Sequence, residues 1–117
     1  MAVALDTRDG LFAEIHPPLS APHALVEADR CLECGSAHAP APCTVACPAG
    51  IDVPSFVSAI AEDDLHRAGE VIFAENLLGG TCARVCPTEL LCEGACVLVH
   101  EGLRPIACSV CGSPSRP

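Results

Sequence analysis

The feature that most constrains this chain is the segment CARVCPTELLCEGAC at residues 82–96, where four cysteines fall within fifteen residues. We call residues 82–96 the second cysteine group. The first cysteine group, residues 31–48, reads Cys-x2-Cys-x8-Cys-x3-Cys-Pro, so the pattern Cys-x3-Cys-Pro occurs in both groups. Dense cysteines in two similar sets predict two metal centres, each held by thiolates from this chain.

Composition supports a fold that depends on its cysteines. The chain has 117 residues, which predicts one small domain. Ten residues are cysteine, only three are aromatic, and neither tryptophan nor tyrosine occurs. Because large side chains are scarce, a hydrophobic core alone would be small, and disulfides or metal are expected to add stability.

The charge and the N-terminal sequence indicate where in the cell the chain is expected and which kinds of partner it is expected to bind. The opening MAVALDTRDG has neither a basic region nor a long apolar run, so we expect no signal peptide. No apolar stretch is long enough for a transmembrane helix. The net charge of −9, with six Lys and Arg, argues against nucleic-acid binding. We therefore expect a cytoplasmic chain without membrane contact, whose reduced thiols bind metal rather than form disulfides.

The spacing of the first cysteine group favours iron–sulfur clusters over the alternatives. Its order of gaps is that of the bacterial iron–sulfur run Cys-x2-Cys-x2-Cys-x3-Cys-Pro, with the middle gap lengthened by the loop SAHAPAP. Zinc remains an alternative, since Cys31-x2-Cys34 and Cys108-x2-Cys111 have a spacing that zinc sites use. Disulfides or redox-active thiols are a third interpretation.

Hydrophobic periodicity predicts an all-α fold of short helices, because no alternation typical of strands persists. Acidic residues and prolines mark the helix starts, as at Asp52 and Pro54. Gly79-Gly80 is expected to end one helix, and Thr88 to cap another. Four helices are predicted. The first covers residues 22–30, the second includes residues 53–60, the third covers residues 65–76, and the fourth is TELLCEGACVLV at 88–99.

Three stretches carry a family resemblance: EADRCLECG, CPAGIDVPSFVSAIAEDDLHRAGEVIFAEN and GTCARVCPTELLCEGACVL. Over residues 22–107 the chain resembles the N-terminal iron–sulfur domain of the glutamate synthase small (β) chain and of dihydropyrimidine dehydrogenase. The resemblance implies an all-α, α-helical ferredoxin-like domain organised around two [4Fe–4S] clusters. Residues 1–21 would then be an N-terminal arm, and residues 108–117 an irregular tail.

The resemblance also implies that the two clusters take ligands from both cysteine groups. In the family, the last ligand of the second cluster can be a Glu or Gln beyond a Pro-Val/Ile-Ala-Ile-Gly stretch. Here Pro105-Ile106-Ala107 is followed by CSVCGSPSRP instead. Cys82, Cys108 and Cys111 are therefore the candidates for that ligand, in this order. The implied sets are Cys31, Cys34, Cys43 and Cys96 for one cluster, and Cys47, Cys86 and Cys92 for the other.

The implied function is electron transfer within an NAD(P)H-dependent flavin oxidoreductase that resembles glutamate synthase. Gly79-Gly80 lacks the pattern Gly-x-Gly-x-x-Gly, so no dinucleotide site is expected in this chain and no residue is predicted to be catalytic. FAD and NADPH are expected on a partner flavoprotein, on a large oxidoreductase subunit, or on a missing downstream module if the chain is a truncated or frameshifted copy. The alternative is a structural or assembly module that binds zinc or retains a degenerate cluster.

Overall fold

A computed structural model describes residues 17–108 of the chain. Within this range the secondary structure is helical and contains no β-strand, so the prediction of an all-α chain is confirmed for the described residues. The elements are α1 (Ala21–Asp29), α2 (Pro42–Ala46), α3 (Val53–Ala61), α4 (Leu65–Glu75), α5 (Gly79–Val85), a 3₁₀ turn (Thr88–Leu90) and α6 (Val97–His100).

Helix α3 is the centre of the fold and packs against α1, α2 and α4. Its buried residues recur at the predicted helical spacing of three and four. Asp52 caps its first turn, because the Asp52 carboxylate accepts a hydrogen bond from the Ser55 N–H at 3.3 Å. The stripe formed by Val53, Phe56, Val57 and Ile60 is thereby directed into the core.

Helix α4 begins at Leu65, as predicted, and ends at Glu75, one residue before the predicted end. The Asp64 carboxylate accepts a hydrogen bond from the Arg67 N–H at 3.0 Å and caps the helix. The extended backbone of Asn76, with φ −148° and ψ 104°, stops it after Glu75. The prediction that Gly79-Gly80 ends this helix is wrong, because these glycines begin α5. A Cβ at Gly79 would lie 2.5 Å from Ile72 Cγ2, so glycine permits close contact between α4 and α5.

The two Cys-x3-Cys-Pro repeats adopt the same local structure. Helix α2 stops at Cys47 and α5 at Cys86, where ψ is 120° and 128°. A residue before proline is driven into this extended region, which explains both ends. The N–H of Cys47 donates to the Cys43 carbonyl at 3.1 Å, and that of Cys86 donates to the Cys82 carbonyl at 2.9 Å. Each repeat is therefore one helical turn with a cysteine at either end.

The segment TELLCEGACVLV does not form the single helix that its sequence predicts. A tight turn separates the 3₁₀ turn from α6, and Thr88 lies inside the 3₁₀ turn rather than capping it. The Thr88 carbonyl accepts hydrogen bonds from the N–H groups of Glu93 at 2.9 Å and Gly94 at 3.3 Å. A Cβ at Gly94 would collide with the Glu89 carbonyl. Backbone packing thus replaces the expected helix between Cys92 and Cys96.

A buried carboxylate ties the end of the described chain to α1. The Arg30 guanidinium donates to Glu27 Oε1 at 2.7 Å, and the Ala107 N–H donates to the same oxygen at 3.0 Å. Arg30 also donates to the carbonyls of Arg104 at 2.6 Å and Pro105 at 3.4 Å. We call Glu27 and Arg30 the Glu27 clamp, since together they hold residues 104–107 against α1.

Replacing Glu27 with alanine should lower the free energy of unfolding by about 1.5–3 kcal/mol, because it removes a charged acceptor from two donors in a part-buried site. Glu62→Ala is the matched control, since Glu62 also pairs with an arginine at 2.7 Å but is exposed, and its loss should cost less than about 1 kcal/mol. Denaturant unfolding of the metal-loaded chain measures both. Equal effects of the two substitutions would contradict the stabilising role of the clamp.

Candidate metal centre

A small cavity of about 30 Å³ lies where the first cysteine group meets the start of α6. Apolar side chains of α3, among them Val53 and Val57, form part of its wall. Leu98 and Ile106 close it from the C-terminal side of the described chain. Its cysteines are Cys31, Cys34, Cys43 and Cys96, together with Cys92 and Cys108. This smaller cavity thus contains all four cysteines that the resemblance assigns to one cluster.

A larger cavity of about 290 Å³ lies between α3, α4 and α5. Its apolar wall includes Leu65, Ala68, Ile72 and Phe73, the face of α4 that periodicity singles out. Leu65 and Phe73 are each 51% exposed, because they face this opening instead of a packed core. Its cysteines are Cys47, Cys82, Cys86, Cys92 and Cys108. The two cavities adjoin, since Cys92 and Cys108 line both.

Two thiols of the smaller cavity, those of Cys31 and Cys43, resist ionisation. Burial raises the pKa of Cys43 from its ordinary value of 9.0 to about 11, and the nearby thiols of Cys31 and Cys96 add to this shift. The pKa of Cys31 is also raised, first by burial and then by Cys34 and Cys96. Several thiolates in one poorly solvated space repel each other, so a positively charged metal core is needed to ionise them together.

In the larger cavity, the thiol of Cys86 also resists ionisation. Burial raises the pKa of Cys86, and the thiols of Cys92, Cys82 and Cys47 raise it further. Cys92 and Cys108 share a hydrogen bond, which lowers the pKa of Cys92 and raises that of Cys108. The electrostatic neighbours therefore place Cys47 beside the second cysteine group and Cys96 beside the first.

All nine cysteines in the described part of the chain are free thiols, and each lines at least one of the two cavities. Within residues 17–108 no three His, Cys, Asp or Glu side chains are arranged to hold a single metal ion. The thiols instead surround two spaces, and sets of four thiolates are the usual ligands of [4Fe–4S] clusters. The residues present therefore fit such a cofactor. Cys111, the third candidate for the uncertain ligand, lies outside the described residues.

One polar contact to a cysteine is not apparent from the sequence. The Asn76 amide donates a hydrogen bond to Cys82 Sγ at 3.0 Å, while its oxygen accepts one from the Leu78 N–H at 3.0 Å. Hydrogen bonds to sulfur tune cluster properties, so such groups matter near a metal centre. Sequence periodicity identifies Asn76 only as the end of a helix, and the bond depends on the turn that follows.

A helical chain whose cysteines surround two adjoining cavities has the architecture of a metal-cluster protein. The sequence model of the family described as dihydropyrimidine dehydrogenase domain II, 4Fe-4S cluster, matches residues 8–111. The chain belongs to this family, which confirms the resemblance stated above, and it is a [4Fe–4S]-binding protein.

Curated relatives agree with the family match. The chain is 43% identical over 83 residues to the NAD-dependent dihydropyrimidine dehydrogenase subunit PreT of Escherichia coli (strain K12), covering 71% of this chain and 19% of the relative. It is 38% identical over 90 residues to the glutamate synthase [NADPH] small chain of the same organism, covering 77% of this chain and 18% of the relative. The chain thus spans about a fifth of the length of these relatives. No helix within residues 17–108 is long and apolar enough to cross a membrane.

Metal loading of the metal-free chain should release protons and strengthen as pH rises. Cysteine thiols have an ordinary pKa of 9.0, and burial raises the pKa of Cys31, Cys43 and Cys86 further in the folded chain. These thiols are therefore protonated at neutral pH whether or not the metal-free chain stays folded, whereas metal binds the thiolate. Titration with Co²⁺, followed by thiolate-to-cobalt absorption, should show an affinity at least about tenfold higher for each unit of pH near neutrality. Cys43→Ser should lower the slope of the logarithm of the affinity against pH by about one, because one fewer thiol proton is released on binding. An affinity independent of pH would contradict this expectation.

Proposed function

We propose that this chain is a two-cluster electron-transfer domain or subunit of an NAD(P)H-dependent flavin oxidoreductase. It relays electrons between a reduced flavin and an acceptor site on another protein or module. The two [4Fe–4S] clusters supply the redox chemistry, and the chain ligates them, buries them and holds them side by side. On this proposal residues 22–107 form an α-helical ferredoxin-like domain, flanked by the arm 1–21 and the tail 108–117.

The single observation that carries the proposal is the pair of adjoining cysteine-lined cavities. One cluster takes Cys31, Cys34, Cys43 and Cys96, and the other takes Cys47, Cys86, Cys92 and one further ligand. Because Cys92 and Cys108 line both cavities, two clusters bound there would be neighbours separated by these side chains. Neighbouring clusters suit electron transfer through the domain, whereas a purely structural metal needs no second centre close by.

The partner on this proposal is a flavoprotein that binds FAD and NAD(P)H, a large oxidoreductase subunit, or both. The printed names of two relatives, a subunit of an NAD-dependent dehydrogenase and the small chain of an NADPH-dependent synthase, support such a partner. The chain covers about a fifth of those relatives, so their nicotinamide-dependent activities would reside outside the matched region.

Anaerobic purification with metal analysis tests the cofactor content. We expect about eight irons and about eight acid-labile sulfides per chain, with visible absorbance and two EPR signals after reduction. A colourless protein with stoichiometric zinc would overturn the proposal in favour of a structural module. About four irons per chain would instead indicate a degenerate domain with one cluster.

A reduction assay tests the electron-transfer role itself. NADPH alone should leave the visible absorbance of the clusters unchanged, because no dinucleotide site is predicted in the chain. Addition of a catalytic amount of an NADPH-oxidising flavoprotein should bleach it. The clusters could be reduced by a chemical reductant and yet not by the reduced flavoprotein. That result would contradict the electron relay and leave only a structural role.

A further inference from the structure

The nine described cysteines outnumber the ligands that two clusters require. Two four-iron clusters held by thiolates alone use eight cysteines, and nine line the two cavities. The smaller cavity has four cysteines of its own, and Cys92 and Cys108 line both cavities. These four cysteines are enough to ligate one cluster. The larger cavity holds Cys47, Cys86 and Cys92, and either Cys82 or Cys108 is the surplus residue.

Cys108 is held at the boundary of the larger cavity by contacts that leave its thiol little freedom. The N–H of Ala107, the residue before it, donates to Glu27 of the clamp at 3.0 Å. Its own N–H donates to the Ile106 carbonyl at 2.9 Å, and Ile106 is buried. Cys108 is only 8% exposed and shares a hydrogen bond with Cys92. Its sulfur is therefore fixed beside a predicted ligand and screened from water.

Cys82 already has a role in local structure. Asn76 bonds both the Leu78 N–H and Cys82 Sγ at 3.0 Å, and so ties the first turn of α5 to the end of α4. Cys82 is also more exposed than Cys108, which is buried. The sulfur of Cys82 thus has a hydrogen-bond partner outside the set of cysteines, in the turn that follows α4. Within residues 17–108, the side-chain hydrogen bond of Cys108 joins it to Cys92, another cysteine of the cavity.

From these contacts we propose that Cys108 supplies the fourth thiolate of the cluster in the larger cavity, with Cys47, Cys86 and Cys92. Cys82 is then the surplus cysteine and serves the Asn76 turn. The inference rests on the proposed two-cluster function. The sequence analysis ranks Cys82 before Cys108 as the candidate ligand. The structure favours Cys108 instead, because Cys108 is buried and the Glu27 clamp holds the residue before it.

The test compares Cys108→Ala with the matched variant Cys82→Ala in the full chain, loaded with iron and sulfide under anaerobic conditions. Cys108→Ala should lose the larger-cavity cluster, so that iron falls from about eight to about four per chain and one EPR signal disappears. Cys82→Ala should keep the full iron content and both signals. Retention of both clusters by Cys108→Ala, or loss of one by Cys82→Ala, overturns the inference.

Two further measurements keep the result interpretable. The EPR signal of the smaller-cavity cluster reports whether Cys108→Ala still folds. If that variant holds no cluster, Cys108→Asp replaces it, because an oxygen ligand at one iron should alter one EPR signal and leave the other unchanged. Two unaltered signals in Cys108→Asp overturn the inference. An unmodified chain with one cluster or none overturns the proposed function as well, so the two failures are distinguishable.

Discussion

Removal of the proposed clusters should abolish the cooperative unfolding transition of this protein and most of its helical structure. The buried hydrophobic core is small, and Val57 is the only large side chain among residues 17–108 that is fully buried. The longest described helix, α4, has eleven residues, and helices of this length are marginal in water without tertiary contacts. Both cavities are also lined with thiols that repel each other when ionised. Without metal, the small core around α3 is the main contact left between the helices.

The magnitude of this effect should be comparable to the whole stability of a typical small domain. Structural metal sites in zinc-finger peptides contribute about 10–16 kcal/mol, whereas whole domains are stable by about 5–15 kcal/mol. Far-UV circular dichroism of the anaerobic chain, before and after treatment with a chelator and a reductant, measures the loss. The helical signal should fall, and the thermal transition should become broad or vanish.

Reconstitution with iron and sulfide is the control for chemical damage, and it should restore the helical signal and the transition. A metal-free chain that keeps the same helical content and a sharp transition would contradict the prediction. The hydrophobic core around α3 would then be sufficient by itself, and the clusters would have a redox role without a structural one.

Cys96→Ala is expected to remove the cluster of the smaller cavity and to spare the other. Cys96 belongs by sequence to the second cysteine group, yet it lines the cavity of the first group and interacts with Cys31 and Cys43. The variant should therefore lose about half of its iron. Iron and sulfide analysis gives the number of clusters, and EPR after reduction identifies which signal is lost.

Cys47→Ala is the reciprocal variant, because Cys47 belongs by sequence to the first group and lines the larger cavity. It should also lose about half of the iron but remove the opposite EPR signal. Loss of the same signal in both variants would contradict the exchange of ligands between the groups. So would a Cys96→Ala variant that loses only the cluster of the larger cavity.

Local sequence rules predict much of the secondary structure correctly. The starts of α3 and α4 follow from Asp52 and Asp64, whose carboxylates bond the N–H groups three residues ahead. The ends of α2 and α5 follow from the prolines after Cys47 and Cys86. These features depend on neighbours within a few residues, so a linear sequence contains the information needed to predict them.

Secondary structure is predicted wrongly where packing between elements overrides a local preference. Gly79 resembles a helix terminator, but its small size instead lets α5 approach Ile72 of α4. The periodicity of TELLCEGACVLV is helical, but the Thr88 carbonyl binds two later N–H groups and forms a turn. In both cases the deciding atom belongs to a different turn or element, and local propensity does not include it.

Sequence patterns alone predict the chemistry of this protein: cysteines in two groups that can bind metal, a helical chain, and the motifs that indicate a [4Fe–4S] family. Spacing within a group sets which sulfurs can share one helical turn, and that depends on bonded geometry alone. The exchange of Cys96 and Cys47 between the two groups is implied by the family resemblance, and the structure places these residues along the corresponding cavities. The position of Cys108 between the cavities is a property of the tertiary structure alone. The reason is physical, because these positions depend on long-range contacts, including the hydrogen bond from Ala107 to Glu27 across eighty residues of chain.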